Sequence, residues 1–419
     1  MLFIFYFFLF FFISCSEKDI NENNFNYIIN NKESKRKLEN DDLNYKDINI
    51  LFDIRSILND YDYFKRSRPN DAETKEMEYL INFLGTFNNT LKKLIKIKKS
   101  HQNEIRISDK AFIDLKNNIP AYENELLNEP FHNDLVIFVG VDINRETFES
   151  LEIIQYDNND RDRPIVGIIK YNIQFGIRIN DENKKYQLFN IFFLHEITHI
   201  LGFTRTILKN NGFTIEEGKE RNRVNTNQKN VISNKNLLTI AKNYFNCNEI
   251  DYIELDDNSG EGKELIHWEG RILLGDYMTS EIYYPEQVIS EFTIAVLEEL
   301  PWYKVNHYTG GLMKFGKNKG CNFLYKDCAE QKDETIIPKF SNEFCNSDSF
   351  GTCSIGRQSK GYCLLETSKN KVKTDYVRND WSLDYGKENV EYCPVSSETL
   401  SNSDNQNYDG SCLFQNLKY

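Results

Sequence analysis

The feature that most constrains this chain is a pair of histidines in the apolar segment "IFFLHEITHILGFTRT", residues 191–206. His195 and His199 are four positions apart, and Glu196 directly follows the first of them. A helix turns once in about 3.6 residues, so both imidazoles project from one face and can hold one metal ion. Glu196 then stands beside that ion, where a carboxylate can take a proton from an attacking water. The spacing predicts a metal-binding catalytic helix with Glu196 as the general base.

The residues around this pair support that interpretation. The preceding segment "FNIFFL" is strongly apolar, which indicates a buried helix. Satisfied core histidines are the alternative, but unpaired polar groups in such a helix cost several kcal/mol, and metal ligation removes that cost. Gly202 lies three residues after His199. Because glycine tolerates positive φ, Gly202 predicts a helix-terminating turn after which the chain can bring a third ligand round.

The third ligand has to come from elsewhere in the chain. In the shorter pattern HExxHxxGxxH it lies three residues after the glycine, where this chain has Arg205, which cannot ligate. The remaining histidines are the candidates: His101, His132, His267 and His307. His267 precedes Met278 by eleven residues, and a methionine in a tight turn beneath the metal is typical of metzincin proteases. This spacing favours His267 as the third ligand and Met278 as the Met-turn residue; ordinary core packing of Met278 is the alternative.

Hydrophobic patterns predict a chain of mixed helices and strands. β-branched, apolar runs predict strands at 48–54, 134–143 and 163–173. Helical periodicity predicts helices at 77–100, 234–245 and 284–300. The helix with the two histidines is expected to start between residues 180 and 182, and the polar residues 208–235 are expected to form a loop.

The N-terminus and the cysteines indicate export. Residues 1–16 are mostly apolar and end in small residues, which predicts a signal peptide, although no basic residue precedes the apolar run. An uncleaved anchor and a lipid-modified Cys15 are the alternatives. Of the other eight cysteines, seven lie after residue 320, which predicts a disulfide-rich C-terminal module rather than reduced thiols. We therefore expect a secreted or cell-surface protein, with Asn88 in a glycosylation sequon.

The net charge limits the classes of molecule that the protein is expected to bind. The 51 basic and 64 acidic residues leave a net charge of -13, which argues against nucleic acid, because neutralising phosphates needs a basic surface. Residues 17–46 are polar with little apolar periodicity and are expected to form a polar leader or short pro-segment.

Several segments of the sequence resemble those of a known family. "HEITHILGF", a long insertion and then "HWEGRILLGDYMTS" resemble leishmanolysin-type zinc metalloproteases, the metzincins whose third histidine follows an inserted segment. The likeness extends over residues 48–412 and includes these further blocks: "DLVIFV", "RPIVGIIKYN", "LLTIAKNYFNC", "FTIAVLEELPWYKVN", "GCNFLYKDC", "CSIGRQSKGYC" and "YCPV". Two features depart from the family. No cysteine lies between Cys15 and Cys247 to cap the metal in a zymogen, and the chain has fewer cysteines than the best-known members.

The resemblance implies the site and the fold. It implies one zinc ion held by His195, His199 and His267, with Glu196 as general base and Met278 in the Met-turn. The implied fold class is α+β: a metzincin-type zincin with a mixed twisted sheet and active-site helix, an inserted middle subdomain and a disulfide-rich C-terminal module. The expected boundaries are 1–16 for the signal peptide, 17–46 for the leader, 47–206 for the catalytic subdomain, 207–316 for the middle subdomain and 317–419 for the C-terminal module.

The function expected from residues and resemblance together is that of a secreted or cell-surface zinc metalloendopeptidase. It would hydrolyse peptide bonds in protein or peptide substrates through a zinc-bound water and Glu196. Association with a membrane surface stays open, and no oligomeric state is predicted. The alternative is a catalytically silent adhesion or binding protein on the same fold. A structural zinc site is a weaker alternative, because three histidines with a nearby carboxylate leave a coordination position open, which structural sites avoid.

Overall fold

The computed structural model describes most of the chain between residues 44 and 397. The described ranges are 44–99, 104–142, 149–179, 182–220, 228–256, 263–280, 287–306, 312–332, 335–340, 343–345, 352–357, 360–364 and 393–397. The predicted signal peptide, nearly all of the leader, His101, His307 and Cys412 lie outside them. Contacts divide the chain into Met1–Lys46 and Asp47–Tyr419, and the description below concerns the second unit. None of the described helices combines the length and the apolar character needed to span a bilayer.

The elements follow one another in mixed order. The helices are α1 (Arg55–Ser67), α2 (Ala72–Leu94), α3 (Asp109–Asn118), α4 (Ile173–Ile177), α5 (Glu182–Leu201), α6 (Arg205–Asn210), α7 (Lys235–Phe245), α8 (Gly270–Leu273), α9 (Glu291–Glu299) and α10 (Cys321–Tyr325), with a 3₁₀ helix at Asn124–Asn128. The strands are β1 (Tyr45–Asp47), β2 (Ile50–Asp53), β3 (Ile95–Lys98), β4 (Leu135–Asp142), β5 (Glu149–Asp157), β6 (Arg163–Asn172), β7 (Thr214–Glu220), β8 (Gln228–Ser233), β9 (Ile253–Glu254), β10 (Tyr303–Val305), β11 (Ala329–Lys332), β12 (Thr335–Pro338), β13 (Thr352–Cys353), β14 (Lys360–Leu364) and β15 (Val395–Ser397).

The main sheet has the strand order β2-β4-β6-β5. β2, β4 and β6 run parallel, and β5 pairs antiparallel with β6 along the edge. Parallel neighbours need a crossover between them, and helices α1 to α3 lie between β2 and β4 in the chain. The mixed sheet expected from the sequence is therefore confirmed, as are the three predicted strands within it.

Side chains of the central strand β4 are buried on both faces of the sheet. Ile137 and Val139 belong to a large core that also contains α2 and α5. Their neighbour Phe138 belongs to a second core, which α3 and the following segment complete. Successive strand residues point to opposite faces, so a continuous apolar run such as "LVIFVGV" requires a cover on each side.

Helix α5 packs closely on the first of these faces. A row of its aromatic residues, Phe189, Phe192 and Phe193, is fully buried there. Closer to the C-terminal end of the helix, Ile200 lies over Gly167 of β6, where an added Cβ would come within 2.8 Å of the isoleucine Cδ1. The missing side chain at this position lets the last turns of α5 approach the sheet, which fixes the depth of the histidine-bearing segment.

A buried ion pair anchors the start of the same helix. Lys185 of α5 pairs with Glu76 of α2, and the Tyr171 hydroxyl donates to the Glu76 carboxylate over 3.0 Å. Burial raises the pKa of Glu76, while the ion pair and this hydrogen bond oppose that rise. Losing one partner would leave a buried charge uncompensated, so this contact holds α5 against α2.

The helix predicted for 77–100 is too long at its C-terminal end, where the prediction was wrong. Helix α2 ends at Leu94, and Ile95–Lys98 form strand β3, which pairs antiparallel with β10. The four residues "IKIK" alternate between buried and exposed, which is the period of a strand. The partner strand lies more than 200 residues further along, so this pairing is not visible locally.

Two further element predictions were wrong. The expected loop at 208–235 contains the end of α6 and the strands β7 and β8, which pair antiparallel and continue into β9. The helix expected from residue 284 starts only at Glu291, because Ser290 is its N-cap and its hydroxyl accepts from the Phe292 amide at 3.1 Å. The helix predicted at 234–245 is confirmed as α7.

Disulfides connect the later part of the chain, as the cysteine spacing predicted. The described pairs are Cys247–Cys321, Cys328–Cys393 and Cys345–Cys363. The first of them links the segment just after α7 to the first residue of α10 across the predicted boundary at 316, while the subdomain boundaries themselves stay predictions. Asn88 of the predicted sequon lies within α2, where its amide donates to the Ile50 carbonyl at 2.7 Å.

Candidate metal centre

Helix α5 brings the two sequence-predicted histidines to one point. His195 and His199 lie on successive turns near its C-terminal end, and both are buried. Their Nε2 atoms are 3.2 Å apart. Glu196 is buried on the same helix, directly after the first histidine, at 3% exposure. The two histidines therefore bring their Nε2 atoms together from successive turns of one helix, which also carries the buried Glu196.

His267 completes the group from a distant part of the chain. Its Nε2 lies 3.2 Å from the Nε2 of His199. The ligating atoms of the three histidines all lie within 4.8 Å of one another, and in the described part of the chain they are the single group of three potential metal ligands. His132, by contrast, is exposed and lies outside this group. The candidates His101 and His307 lie outside the described residues.

Gly202 ends the helix in a conformation that suits the site. Its φ is +125°, which side-chain-bearing residues rarely adopt. The Phe203 amide then donates back to the Thr198 carbonyl at 3.0 Å, a helix-ending bond of the Schellman type. As a result the carbonyl of Phe203 faces His199 and accepts from its Nδ1 at 2.9 Å. The turn at Gly202 thus provides the acceptor that orients the second histidine.

The same turn guides the segment that carries the third histidine. Thr204 forms a bridge with Leu265, two residues before His267. Arg205 stands where the shorter pattern would have its histidine, and it fixes this segment instead. Its amide donates to the Glu264 carbonyl at 2.9 Å, and its Nε donates to the carbonyl of residue 263 at 2.9 Å.

The turn at Tyr277 and Met278 contacts both the segment that carries His267 and the helix α5 histidine His195. The Trp268 amide, next to His267, donates to the Met278 carbonyl at 2.9 Å. The carbonyl of Tyr277 accepts from Nδ1 of His195 at 2.7 Å. Met278 itself is fully buried. The turn therefore connects the first and third histidines through main-chain groups.

Sequence reasoning missed the carboxylate that supports this turn. Asp276 is fully buried and accepts from the Met278 amide at 2.6 Å, from the Ser290 amide at 3.1 Å and from the Thr293 hydroxyl at 2.9 Å. The Trp268 indole donates in turn to that hydroxyl at 2.9 Å. Burial raises the pKa of Asp276 to about 6. An aspartate two residues before a turn methionine was the available sequence signal.

The protonation state of the histidines suits metal binding. Burial lowers the pKa of His195 to about 4 and that of His199 to about 3, and burial with the charge of His199 holds the pKa of His267 well below its usual range. All three rings are therefore neutral near pH 7. In His195 and His199 the Nδ1–H donates to a carbonyl, so the Nε2 lone pair is available for a metal.

Two of the three donor separations are close to those of a zinc site. A tetrahedral ion with Zn–N bonds of about 2.0–2.1 Å separates its nitrogen ligands by about 3.3–3.4 Å. Both Nε2 separations from His199 are 3.2 Å. Three neutral imidazoles leave one tetrahedral position open, as catalytic rather than structural zinc sites do.

The mixed sheet, the buried helix with its glycine turn and the Met-turn together define the class of protein. The chain is an α+β protein of the metzincin type, with a candidate metal centre of three histidines and a neighbouring glutamate.

Comparison with known proteins places the chain within that class. A family model described as leishmanolysin matches residues 105–413. The chain belongs to the leishmanolysin family, and the resemblance seen in the sequence is confirmed. The expected α+β metzincin fold is confirmed with it.

Several curated relatives are similar over part of their length. A leishmanolysin-like peptidase of Caenorhabditis elegans is 25% identical over 295 residues, 57% of this chain and 44% of the relative. One of Drosophila melanogaster is 30% identical over 200 residues, 42% of this chain and 28% of the relative. Leishmanolysin of Leishmania tropica is 26% identical over 257 residues, 60% of this chain and 36% of the relative. The matched region is less than half the length of each of these relatives.

Proposed function

We propose that this protein is a zinc metalloendopeptidase that hydrolyses peptide bonds in proteins or peptides. The observation that carries the proposal is the convergence of three neutral imidazoles, two of them from the helix that also carries the buried Glu196. Membership of the leishmanolysin family supports it. The alternative, a catalytically silent adhesion or binding protein on the same fold, is not favoured, because every residue type that the chemistry needs is in place.

His195, His199 and His267 would hold the zinc ion through Nε2. When bound, zinc supplies Lewis acidity, which polarises the scissile carbonyl and lowers the pKa of a water molecule to about 7. The chain contributes the fixed direction of the donors. Two carbonyls hold the rings of His195 and His199 from behind, so these side chains lose little conformational entropy when the ion binds.

Glu196 would act as general base and then as general acid. It takes a proton from the attacking water and passes that proton to the nitrogen of the leaving amine. Glu196 directly follows His195 on α5 and is buried, which restricts the rotamers of its side chain. A carboxylate with restricted rotamers needs little reorganisation before each proton transfer.

We propose a secreted or cell-surface location for this activity. The apolar segment at residues 1–16 has the composition of a signal peptide. The disulfides in the later part of the chain support an oxidising compartment. Protein or peptide substrates are the partners that this function requires.

The substitution Glu196→Gln tests the mechanism, because it removes the base and keeps the shape of the side chain. We expect zinc content equal to wild type and a loss of casein cleavage by at least about 10²-fold, since general base catalysis contributes about 10²–10⁴-fold. The matched control is Glu182→Gln, at the exposed first residue of the same helix, with wild-type activity expected.

Metal analysis and cleavage, with and without a chelator, distinguish the outcomes. A purified wild-type protein without zinc would refute the metal site. A zinc-loaded wild type that cleaves no casein or library peptide would favour the silent binding protein. Full activity of Glu196→Gln would exclude Glu196 as the base.

A further inference from the structure

The third histidine differs from the other two in what faces its second ring nitrogen. Nδ1 of His195 and Nδ1 of His199 donate to main-chain carbonyls at 2.7 and 2.9 Å. Nδ1 of His267 instead lies 3.7 Å from a carboxylate oxygen of Asp256. The first two rings are thus oriented by neutral dipoles, and the third faces an ionisable side chain.

The main chain fixes Asp256 beside His267. Leu255 and Trp268 form an antiparallel bridge. The Asp256 amide donates to the His267 carbonyl at 3.1 Å, next to this bridge. Side chains alternate along paired strands, so Leu255 and Trp268 point to one side, and Asp256 and His267 point together to the other. Directly opposed residues in such a pair have Cβ atoms about 4.5–5.5 Å apart, within reach of each other's side chains.

The contact between Asp256 and His267 lies in a poorly hydrated part of the site. The side chain of Asp256 is 5% exposed and that of His267 is 16% exposed, so little water screens them. On the same side of the paired segments, Lys229 lies 3.3 Å from a carboxylate oxygen of Glu269. The distance of 3.7 Å between the Asp256 oxygen and Nδ1 of His267 is longer than a hydrogen bond. The carboxylate therefore acts on the ring N–H through its negative charge.

We propose that Asp256 is a positioning residue for the third zinc ligand. Its carboxylate favours the His267 tautomer with the proton on Nδ1, which directs the Nε2 lone pair to the other two histidines. It also stabilises the partial positive charge that the imidazole acquires when it donates to a cation. The inference rests on the zinc site of the proposed function and deepens it, because it assigns the orientation of His267 to a side chain of the chain's own inserted segment.

The test is Asp256→Asn, which keeps size and polarity but removes the charge. Zinc affinity is measured by competition with a chromophoric chelator, and stability by urea unfolding of the metal-free protein. We expect zinc to bind about 10- to 100-fold more weakly, the usual effect of losing a carboxylate behind a ligating histidine. Asp256→Glu retains the charge and is expected to recover most of the affinity.

The matched control is Asp53→Asn at the end of β2, the strand at the far edge of the sheet. Asp53 is as buried as Asp256, and it also contacts a polar hydrogen, from the Tyr122 hydroxyl at 2.9 Å. This substitution is expected to lower stability and leave zinc affinity unchanged. If Asp256 has only a structural role, Asp256→Asn should likewise lower stability and leave zinc affinity unchanged.

The outcomes separate this inference from the proposed function. If the wild type binds zinc and Asp256→Asn binds it within threefold as tightly, the inference is refuted and the proposed function stands. If Asp256→Asn does not fold, Asp256→Glu decides: near wild-type affinity supports the inference, and loss of affinity in a folded protein overturns it. A wild type that binds no zinc refutes both.

Discussion

The turn at Gly202 allows a quantitative prediction for Gly202→Ala. An alanine there would be held at a φ of +125°, and its Cβ would come within 3.0 Å of Leu300 Cδ1 and 3.1 Å of Ile207 Cγ2. The backbone strain costs about 1–3 kcal/mol. Both neighbours are ends of side chains that can shift, so crowding adds about 1 kcal/mol, the low end of the overpacking range.

The unfolded state offsets part of this cost. Alanine restricts the unfolded chain more than glycine, which favours folding by about 0.4–1 kcal/mol. The expected net loss in the free energy of unfolding is therefore about 1–3.5 kcal/mol. A shifted helix end also moves the Phe203 carbonyl away from Nδ1 of His199, so zinc affinity should fall about 10-fold.

Two other glycines provide the comparison. Gly212 has a φ of +90° with no atom within 4 Å of an added Cβ, so Gly212→Ala should show the strain alone and bind zinc normally. Gly85 lies in α2 with equally open space, and Gly85→Ala should stabilise the protein by about 1 kcal/mol through helix propensity. Urea unfolding of the metal-free variants, followed by circular dichroism, gives the free energies, and chelator competition gives the affinities.

The reasoning fails if Gly202→Ala is no less stable than Gly212→Ala and binds zinc as tightly as the wild type. That result would mean that the chain reaches the same turn without positive φ, and that the Phe203 carbonyl does not depend on glycine at position 202.

Two further predictions concern the supports of the site. Asp276→Asn should destabilise the metal-free protein by about 1–3 kcal/mol at acid pH, because the Asp276 carboxyl group accepts from two amides and from the Thr293 hydroxyl. The pKa of Asp276 is raised to about 6, so its contribution to stability is present below about pH 4 and is lost as the pH rises through about 6. The free energy of unfolding should be measured at several pH values. The difference between wild type and variant should become smaller over that range. Replacing both Cys247 and Cys321 by serine opens a link of sequence separation 74 and should cost about 4 kcal/mol by chain entropy; unfolding of this variant at an unchanged urea midpoint would contradict the prediction.

Elements with a strong local pattern could be predicted from the sequence. Helix α5 and the strands β4 and β6 follow from the periodicity of their apolar residues. Strand β3 could not be predicted, because its four residues continue the pattern of α2 and become a strand only by pairing with β10. The polar strands β7 and β8 were missed for a related reason. Few of their residues are apolar, and their main-chain hydrogen bonds, rather than a hydrophobic face, define them.

In the candidate site, the sequence indicates the functional side chains but not the main-chain groups that orient them. The three histidines and Glu196 are chemical types that a sequence displays directly. The groups that orient His195 and His199 are the main-chain carbonyls of Tyr277 and Phe203. Because every residue type has a carbonyl, these acceptors cannot be identified from the sequence. Their positions depend on φ at Gly202 and on the hydrogen bonds of the Met-turn. Gly202 and Asp276 are two residues that fix this backbone, Gly202 by its positive φ and Asp276 by accepting from the Met278 amide.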